Sequence, residues 1–151
     1  MPLNFLCPVH REWVYFHPED ALFYLENAQQ HGEDMIAQQR WEDAISLLGC
    51  AFESVEILFD LYGSSKSFLI TRLTSLSILL AGCFDKQNVP ELSQTILKQT
   101  SDRLQDSLKS CESNPEKYAY LQRCICALDE HLQIVLHDNV HYGIVAPAVT
   151  H

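Results

Sequence analysis

The chain has 151 residues, 47% of them hydrophobic, and a formal net charge of −10. This length is typical of a single domain, and the apolar share is too high for a disordered chain. The acidic excess disfavours nucleic acid and anionic membranes as partners. The N-terminus lacks the basic start and long apolar core of a signal peptide. We therefore expect a cytoplasmic protein whose six cysteines are reduced.

The N-terminal segment, residues 1–17, contains several large apolar side chains, and we expect it to form an extended arm. A helix is predicted from Pro18 to about Gln39. Proline suits the first turn of a helix, and the acids Glu19 and Asp20 favour a helix N-terminus. The helical domain is therefore predicted to begin at residue 18.

The clearest helical pattern runs from Trp41 to Tyr62. Apolar residues recur there at spacings of three and four, which places them on one face of a helix. Gly63 then provides a typical helix stop. The residues of the stripe are Trp41, Ala44, Ile45, Leu48, Phe52, Val55, Leu58, Phe59 and Tyr62.

Three further helices are predicted. Residues 66–85 are apolar on most sides, which is typical of a central buried helix and not of a membrane span. Residues 88–111 begin with a capping-box spacing between Asn88 and Glu91. The last helix begins near Ser113 to Pro115 and reaches about residue 138.

The sequence thus predicts an all-α fold of about five antiparallel helices over residues 18–138. Residues 139–151, which include Gly143 and Pro147, are expected to form a second extended arm. No pair of strands separated by a turn is visible, so a sheet is not expected. Pairing of two copies through the apolar arms, giving a homodimer, is an additional hypothesis.

The negative charge is concentrated in the first half of the chain. From Glu19 to Asp60 there are ten acidic residues and one base, Arg40, which gives a net charge of −9. The other residues carry ten acids and nine bases, a net charge of −1. Two interpretations stay open: a solvated face that keeps the protein soluble, or a surface that attracts a basic protein segment.

Residues 25–58 resemble one tetratricopeptide repeat. The resemblance implies a helical hairpin in which small residues let the two helices approach closely. The matching residues are Gly32, Met35, Trp41, Ala44, Leu48 and Ala51. Two residues, Ala28 and His31, replace the family's first-helix aromatic and leucine, and Glu56 replaces its closing proline.

A second copy of the repeat is not recognised in the sequence. When Gly82 is aligned with Gly32, Gln94, Lys98 and Ser101 fall where small or apolar residues are needed. A stable array generally needs about three repeats. We therefore expect a repeat-like helical domain with one recognisable unit.

The resemblance also implies a groove on the first helix, with Glu26, Gln29, Glu33 and Ile36 facing a bound peptide. The function predicted from these features is a non-enzymatic interaction module that binds a protein or peptide partner, with acids steering its basic groups. An adaptor, a regulator and a chaperone all fit this description. No cofactor and no metal are expected.

The alternatives are a small helical enzyme and a metal-binding helical protein. Arg11 and His17 have the spacing of the Arg-x(4–6)-His motif of HEPN ribonucleases, although that motif lies near the final helix of the family. Cys7 and His10 have a spacing seen in metal sites, but no second pair follows at the spacing of structural zinc sites. The remaining candidates, His131, His137 and His141, lie around the predicted end of the last helix.

Overall fold

The computed structural model describes residues 4–149, with side chains described for residues 4–137. This part of the chain contains no strand, so the all-α prediction is confirmed, with six helices instead of about five. Residues 1–3 and 150–151, at the ends of the two predicted arms, lie outside the described residues. The helices are α1 (Pro8–Phe16), α2 (Pro18–Ala37), α3 (Trp41–Tyr62), α4 (Ser67–Lys86), α5 (Pro90–Leu108) and α6 (Pro115–Val149).

The predicted N-terminal arm contains helix α1, so the expectation of an extended arm is wrong for residues 8–16. Cys7 caps this helix, because its Sγ accepts the backbone N–H of His10 at 3.5 Å. Pro8 occupies the first position, where a helix does not need the missing N–H. Val14 is buried and anchors the helix to the rest of the fold.

The expectation of an extended C-terminal arm is also wrong, for residues 139–149. The backbone of α6 continues without a break to Val149, which makes it a helix of 35 residues. Gly143 was one reason to expect that the helix ends before this segment. A glycine inside a helix, however, destabilises it by only about 1 kcal/mol relative to alanine. Pro147 lies in the final turn of the helix.

Consecutive helices pack against each other, as their short connections require. Helix α4 lies in the middle and contacts α2, α3, α5 and α6, which explains why it is apolar on most sides. By length and composition α4 could cross a membrane, but 56% of its most apolar window is buried inside the protein. Side chains also join α3 to α5, where Gln99 donates to Glu56 at 2.6 Å and Arg103 contacts Asp60.

The hairpins α2–α3 and α4–α5 share one backbone plan. Helix α4 begins and ends 49 positions after α2, at 67 against 18 and at 86 against 37. Each turn contains one residue with a φ of 59°, Gln39 in the first hairpin and Asn88 in the second. Each also closes with a backbone hydrogen bond, from Arg40 to Met35 at 2.8 Å and from Val89 to Phe84 at 3.0 Å.

The interiors of the two hairpins correspond as well. At the same displacement of 49 positions, small buried residues match small buried residues. In the second hairpin two of them are hydrogen-bonded: Ser77 donates to Thr100 at 3.0 Å, and Ser93 donates to the Ala81 carbonyl at 2.7 Å. The matched pairs are Gly32 with Ala81, Ala28 with Ser77, Ala44 with Ser93, and Ala51 with Thr100.

The two hairpins therefore share the bounds of their first helix, their turn geometry and their small buried positions at a displacement of 49 residues. At this displacement Ala81, which is buried, corresponds to the buried Gly32, whereas Gly82 is exposed. Membership of the tetratricopeptide class stays a prediction.

Candidate functional site

Helices α1 and α2 expose a cluster of large apolar side chains. Val9, Trp13 and Phe16 share one face of α1, because they are spaced by four and three residues. Phe23 and Tyr24 are exposed on α2, Phe23 to 83%. We call these five residues the aromatic surface. Large apolar side chains that are exposed together on neighbouring helices are typical of sites of protein or ligand binding.

Trp13 and Tyr24 also border a cavity of about 670 Å³ between α1, α2 and α3. The cavity exists because small side chains of α2 and α3 leave space beneath α1. Its polar atoms come from His10, Cys50 and Ser54 as well as from Tyr24. The apolar lining consists of Leu6, Trp13, Val14, Ala21, Leu25, Ala28, Leu47 and Ala51.

Glu53 of α3 binds the N-terminal segment, residues 5–11, which covers one side of this cavity. Its carboxylate is almost fully buried and accepts the backbone N–H groups of Phe5 at 2.9 Å and Leu6 at 2.6 Å. It also forms an ion pair with Arg11 of α1. Gly49 lets the Phe5 ring lie directly on α3, since a Cβ there would come within 2.6 Å of the ring. The N-terminal segment is thus held by a buried acceptor and a close ring contact.

Two cysteines lie beside the cavity. The Cys7 Sγ is 3.1 Å from the His10 Nδ1 at the start of α1. The Cys50 thiol donates to the Phe5 carbonyl at 3.5 Å. Burial raises the pKa of Cys50, and the nearby Glu53 and Cys7 raise it further. A nucleophilic cysteine must be a thiolate, and a raised pKa favours the neutral thiol. Cys50 is therefore interpreted as an uncharged residue of the cavity lining.

The aromatic surface lies in acidic surroundings. From Glu12 to Gln39 the chain carries six acidic residues and neither lysine nor arginine. Glu12, Glu19 and Asp20 are all exposed on the same two helices as the aromatic side chains. Arg11, the nearest base, is held by Glu53. Helices α1 and α2 together therefore carry six acidic residues against one arginine.

The structure brings three of the four groove residues predicted from the sequence around one cation. Arg72 of α4 donates to Gln29 at 2.6 Å, and its Nη2 lies 3.8 Å from the Glu26 carboxylate. Gln29 in turn donates to Glu33 at 3.2 Å. Ile36 lies further along α2, where it borders a separate cavity of about 300 Å³ between α2, α4 and α6. Arg72 thus offsets part of the negative charge predicted for this groove.

The residues considered for nuclease chemistry are held apart. Arg11 points to Glu53, whereas the His17 ring lies beside Trp13, with 5.6 Å between ring centroids. Within the part of the chain that the structure describes, no three His, Cys, Asp or Glu residues are grouped as a metal site. The side chain of His141 lies outside the described residues.

The chain matches no protein-family model, no curated protein and no solved structure. The candidate site therefore depends on its geometry alone. Two of its features were not predicted from the sequence, namely the aromatic surface and the contacts of Glu53. The spacing of Val9, Trp13 and Phe16 carried a signal for the first. No local sequence pattern indicates the contacts of Glu53, because the residues that it binds are 42 to 48 positions away in the chain.

Proposed function

We propose that the protein is a non-enzymatic interaction module that binds a segment of a partner protein at the aromatic surface. The observation that carries this proposal is the exposure of Phe16 and Phe23, to 72% and 83%. Burying a large apolar side chain stabilises a complex by about 1.5–3 kcal/mol. A partner that covers these rings gains this free energy, whereas the isolated chain leaves them in water.

The repeated hairpins support a scaffold of the tetratricopeptide type. The hairpins α2–α3 and α4–α5 have matching turns and matching small residues between their helices, and α6 begins at residue 115, 48 positions after the start of α4. Stacked helical hairpins present extended surfaces for binding other proteins. An adaptor, a regulator and a chaperone would all use such a surface.

In this proposal, the groove predicted from the sequence is a second surface that contacts the partner protein. It lies on α2 next to α4, and its residues Glu26 and Gln29 are already occupied by Arg72. Among the described residues, the aromatic side chains of the surface make one ring contact, between Trp13 and His17 at 5.6 Å, and no cation–π contact. We therefore assign the main contact to the aromatic surface, and a steering role to Glu26 and Glu33.

Affinity capture from native cell extract tests the proposal. A Trp13→Ala, Phe23→Ala double variant should lose the partner that the wild-type protein recovers. Phe68→Ala is the matched control, because Phe68 is 49% exposed on α4, away from the aromatic surface. Glu26→Lys with Glu33→Lys should weaken capture and reduce its salt dependence. Retention of the partner by the double variant, or its equal loss in Phe68→Ala, would contradict the proposal.

A further inference from the structure

We propose that the partner segment is an amphipathic helix with a basic polar face, which inserts its apolar side chains into the cavity between α1, α2 and α3. This inference rests on the proposed function and adds two things to it. One is the chemistry of the partner, and the other is the place where its apolar side chains are buried.

The cavity has the size and lining that apolar side chains need. Its volume of about 670 Å³ lies within the range of pockets that bury drug-sized ligands, so several aliphatic groups fit. Trp13 and Tyr24 stand at its border and are themselves exposed to 41% and 62%. Because Trp13 and Tyr24 belong both to the aromatic surface and to the cavity lining, the exposed apolar surface continues into the cavity.

The backbone chemistry of the site favours a helical partner. Across the described residues the chain has no strand, so it presents no strand edge to which an extended peptide could hydrogen-bond. An extended peptide pressed into an apolar cavity would leave its N–H and C=O groups unpaired, at about 1–3 kcal/mol for each buried group. A helix satisfies these groups internally and presents apolar side chains at spacings of three and four residues.

The acidic residues of α1 and α2 indicate that the polar face of the partner helix is basic. The acids Glu12, Glu19 and Asp20 are exposed on α1 and α2, and no lysine or arginine occurs between residues 12 and 39. A second copy of the chain would bring the same acids to the contact, and an anionic membrane would be repelled in the same way. Lysine and arginine on the flanks of an incoming helix would be attracted, mainly accelerating association and selecting the partner.

Synthetic peptides of about 18 residues, five helical turns, provide the probe. The first carries leucines on one face and lysines on the other; the second has glutamates in place of the lysines; the third has the composition of the first in an order without a helical face. Fluorescence anisotropy should show at least about tenfold tighter binding of the first peptide than of either control. Its affinity should fall when salt is raised from about 0.05 M to about 0.5 M.

Two serine variants separate insertion into the cavity from general attraction. Ser54 lines the cavity and donates to the Cys50 carbonyl at 2.8 Å, so Ser54→Leu fills space there. Ser107 is a matched control on α5, half-buried and bonded in the same way to the Arg103 carbonyl at 3.3 Å. Ser54→Leu should weaken binding of the first peptide about tenfold and keep the unfolding midpoint, whereas Ser107→Leu should bind as the wild type does.

The outcomes distinguish this inference from the proposed function. Equal binding of all three peptides, or no effect of Ser54→Leu on a folded protein, would overturn the inference. If the native partner is lost by Trp13→Ala with Phe23→Ala but none of the peptides binds, the proposed function stands and the basic helix is wrong. A concentration-dependent dimer in light scattering that the same double variant abolishes would assign the aromatic surface to a second copy instead, and would overturn the inference.

Discussion

Gly32 of α2 lies directly against Leu48 of α3, so that a Cβ at Gly32 would come within 2.6 Å of the Leu48 Cγ. Leu48 is completely buried and packed on all sides. The two helices can therefore approach closely only because residue 32 has no side chain. This contact joins the two helices of the first hairpin, and α2 carries two of the five residues of the aromatic surface.

The first prediction is that Gly32→Ala lowers the free energy of unfolding by about 1–3 kcal/mol, because Leu48 or the helix must shift to admit the methyl group. This loss should exceed the gain of up to about 1 kcal/mol in helix propensity. Gly82→Ala is the control, since no atom lies within 4 Å of a Cβ at that position and Gly82 is exposed on α4. The control should have a higher free energy of unfolding than the wild type. The prediction would be contradicted if urea denaturation showed an equal decrease in the free energy of unfolding for both variants.

The second prediction concerns the buried carboxylate of Glu53. Glu53→Ala should cost about 2–4 kcal/mol in stability, because it leaves the N–H groups of Phe5 and Leu6 without an acceptor and removes the charge that Arg11 faces. Arg11→Ala should cost less than about 1 kcal/mol, since the Arg11 side chain is 44% exposed and its pairing is screened by water. Denaturant unfolding gives both values.

Glu53→Gln provides the conservative control for this prediction. Its amide oxygen can still accept one backbone N–H, so its stability should lie between those of the wild type and Glu53→Ala. Limited proteolysis should cleave the segment before α2 more rapidly in Glu53→Ala than in the other variants. An Arg11→Ala loss as large as that of Glu53→Ala would show that the ion pair, and not the backbone acceptor, holds the segment.

The helices were largely predictable from the sequence because their signals are local. The stripe from Trp41 to Tyr62 matches α3 at both ends, and Pro18 marks the start of α2. Helix α1 was missed because its N-cap is Cys7, which is not among the side chains that usually cap helices. The last helix was expected to reach about residue 138, with Gly143 and Pro147 in an extended arm, whereas α6 continues to Val149.

The repeat was missed for a different reason. Pairing Gly82 with Gly32 uses a displacement of 50 positions, whereas the backbone shows 49. In the second hairpin serine and threonine also replace alanine, as at Ser77 and Thr100. Their hydroxyl groups are satisfied by each other across the helix interface, so they pack as small residues there. Such a pairing depends on contacts between helices and has no signature within either segment. The contacts of Glu53 escaped prediction for the same reason.

The final prediction depends on Glu56, a carboxylate between α3 and α5. Burial raises its pKa, and the nearby Glu53 and Asp60 raise it further, while the hydrogen bond from Gln99 and the charge of Arg103 lower it. The net shift is upward, so the folded protein binds the Glu56 proton more tightly than the unfolded chain does. Ionised Glu56 therefore opposes folding, and protonation relieves this cost.

The sign of the pH dependence follows from this shift. Between the ordinary pKa of a glutamate and the raised pKa of Glu56, the folded state holds a proton that the unfolded state has lost, so this site loses stability as pH rises through that window. The free energy of unfolding of the wild type, minus that of Glu56→Gln, should therefore increase as pH falls from neutrality into the window. Subtracting the variant removes the contributions of the other carboxylates. Glu42→Gln, an exposed change on the same helix, should leave the shape of the wild-type curve unchanged. A difference between wild type and Glu56→Gln that decreases on acidification would contradict the upward shift.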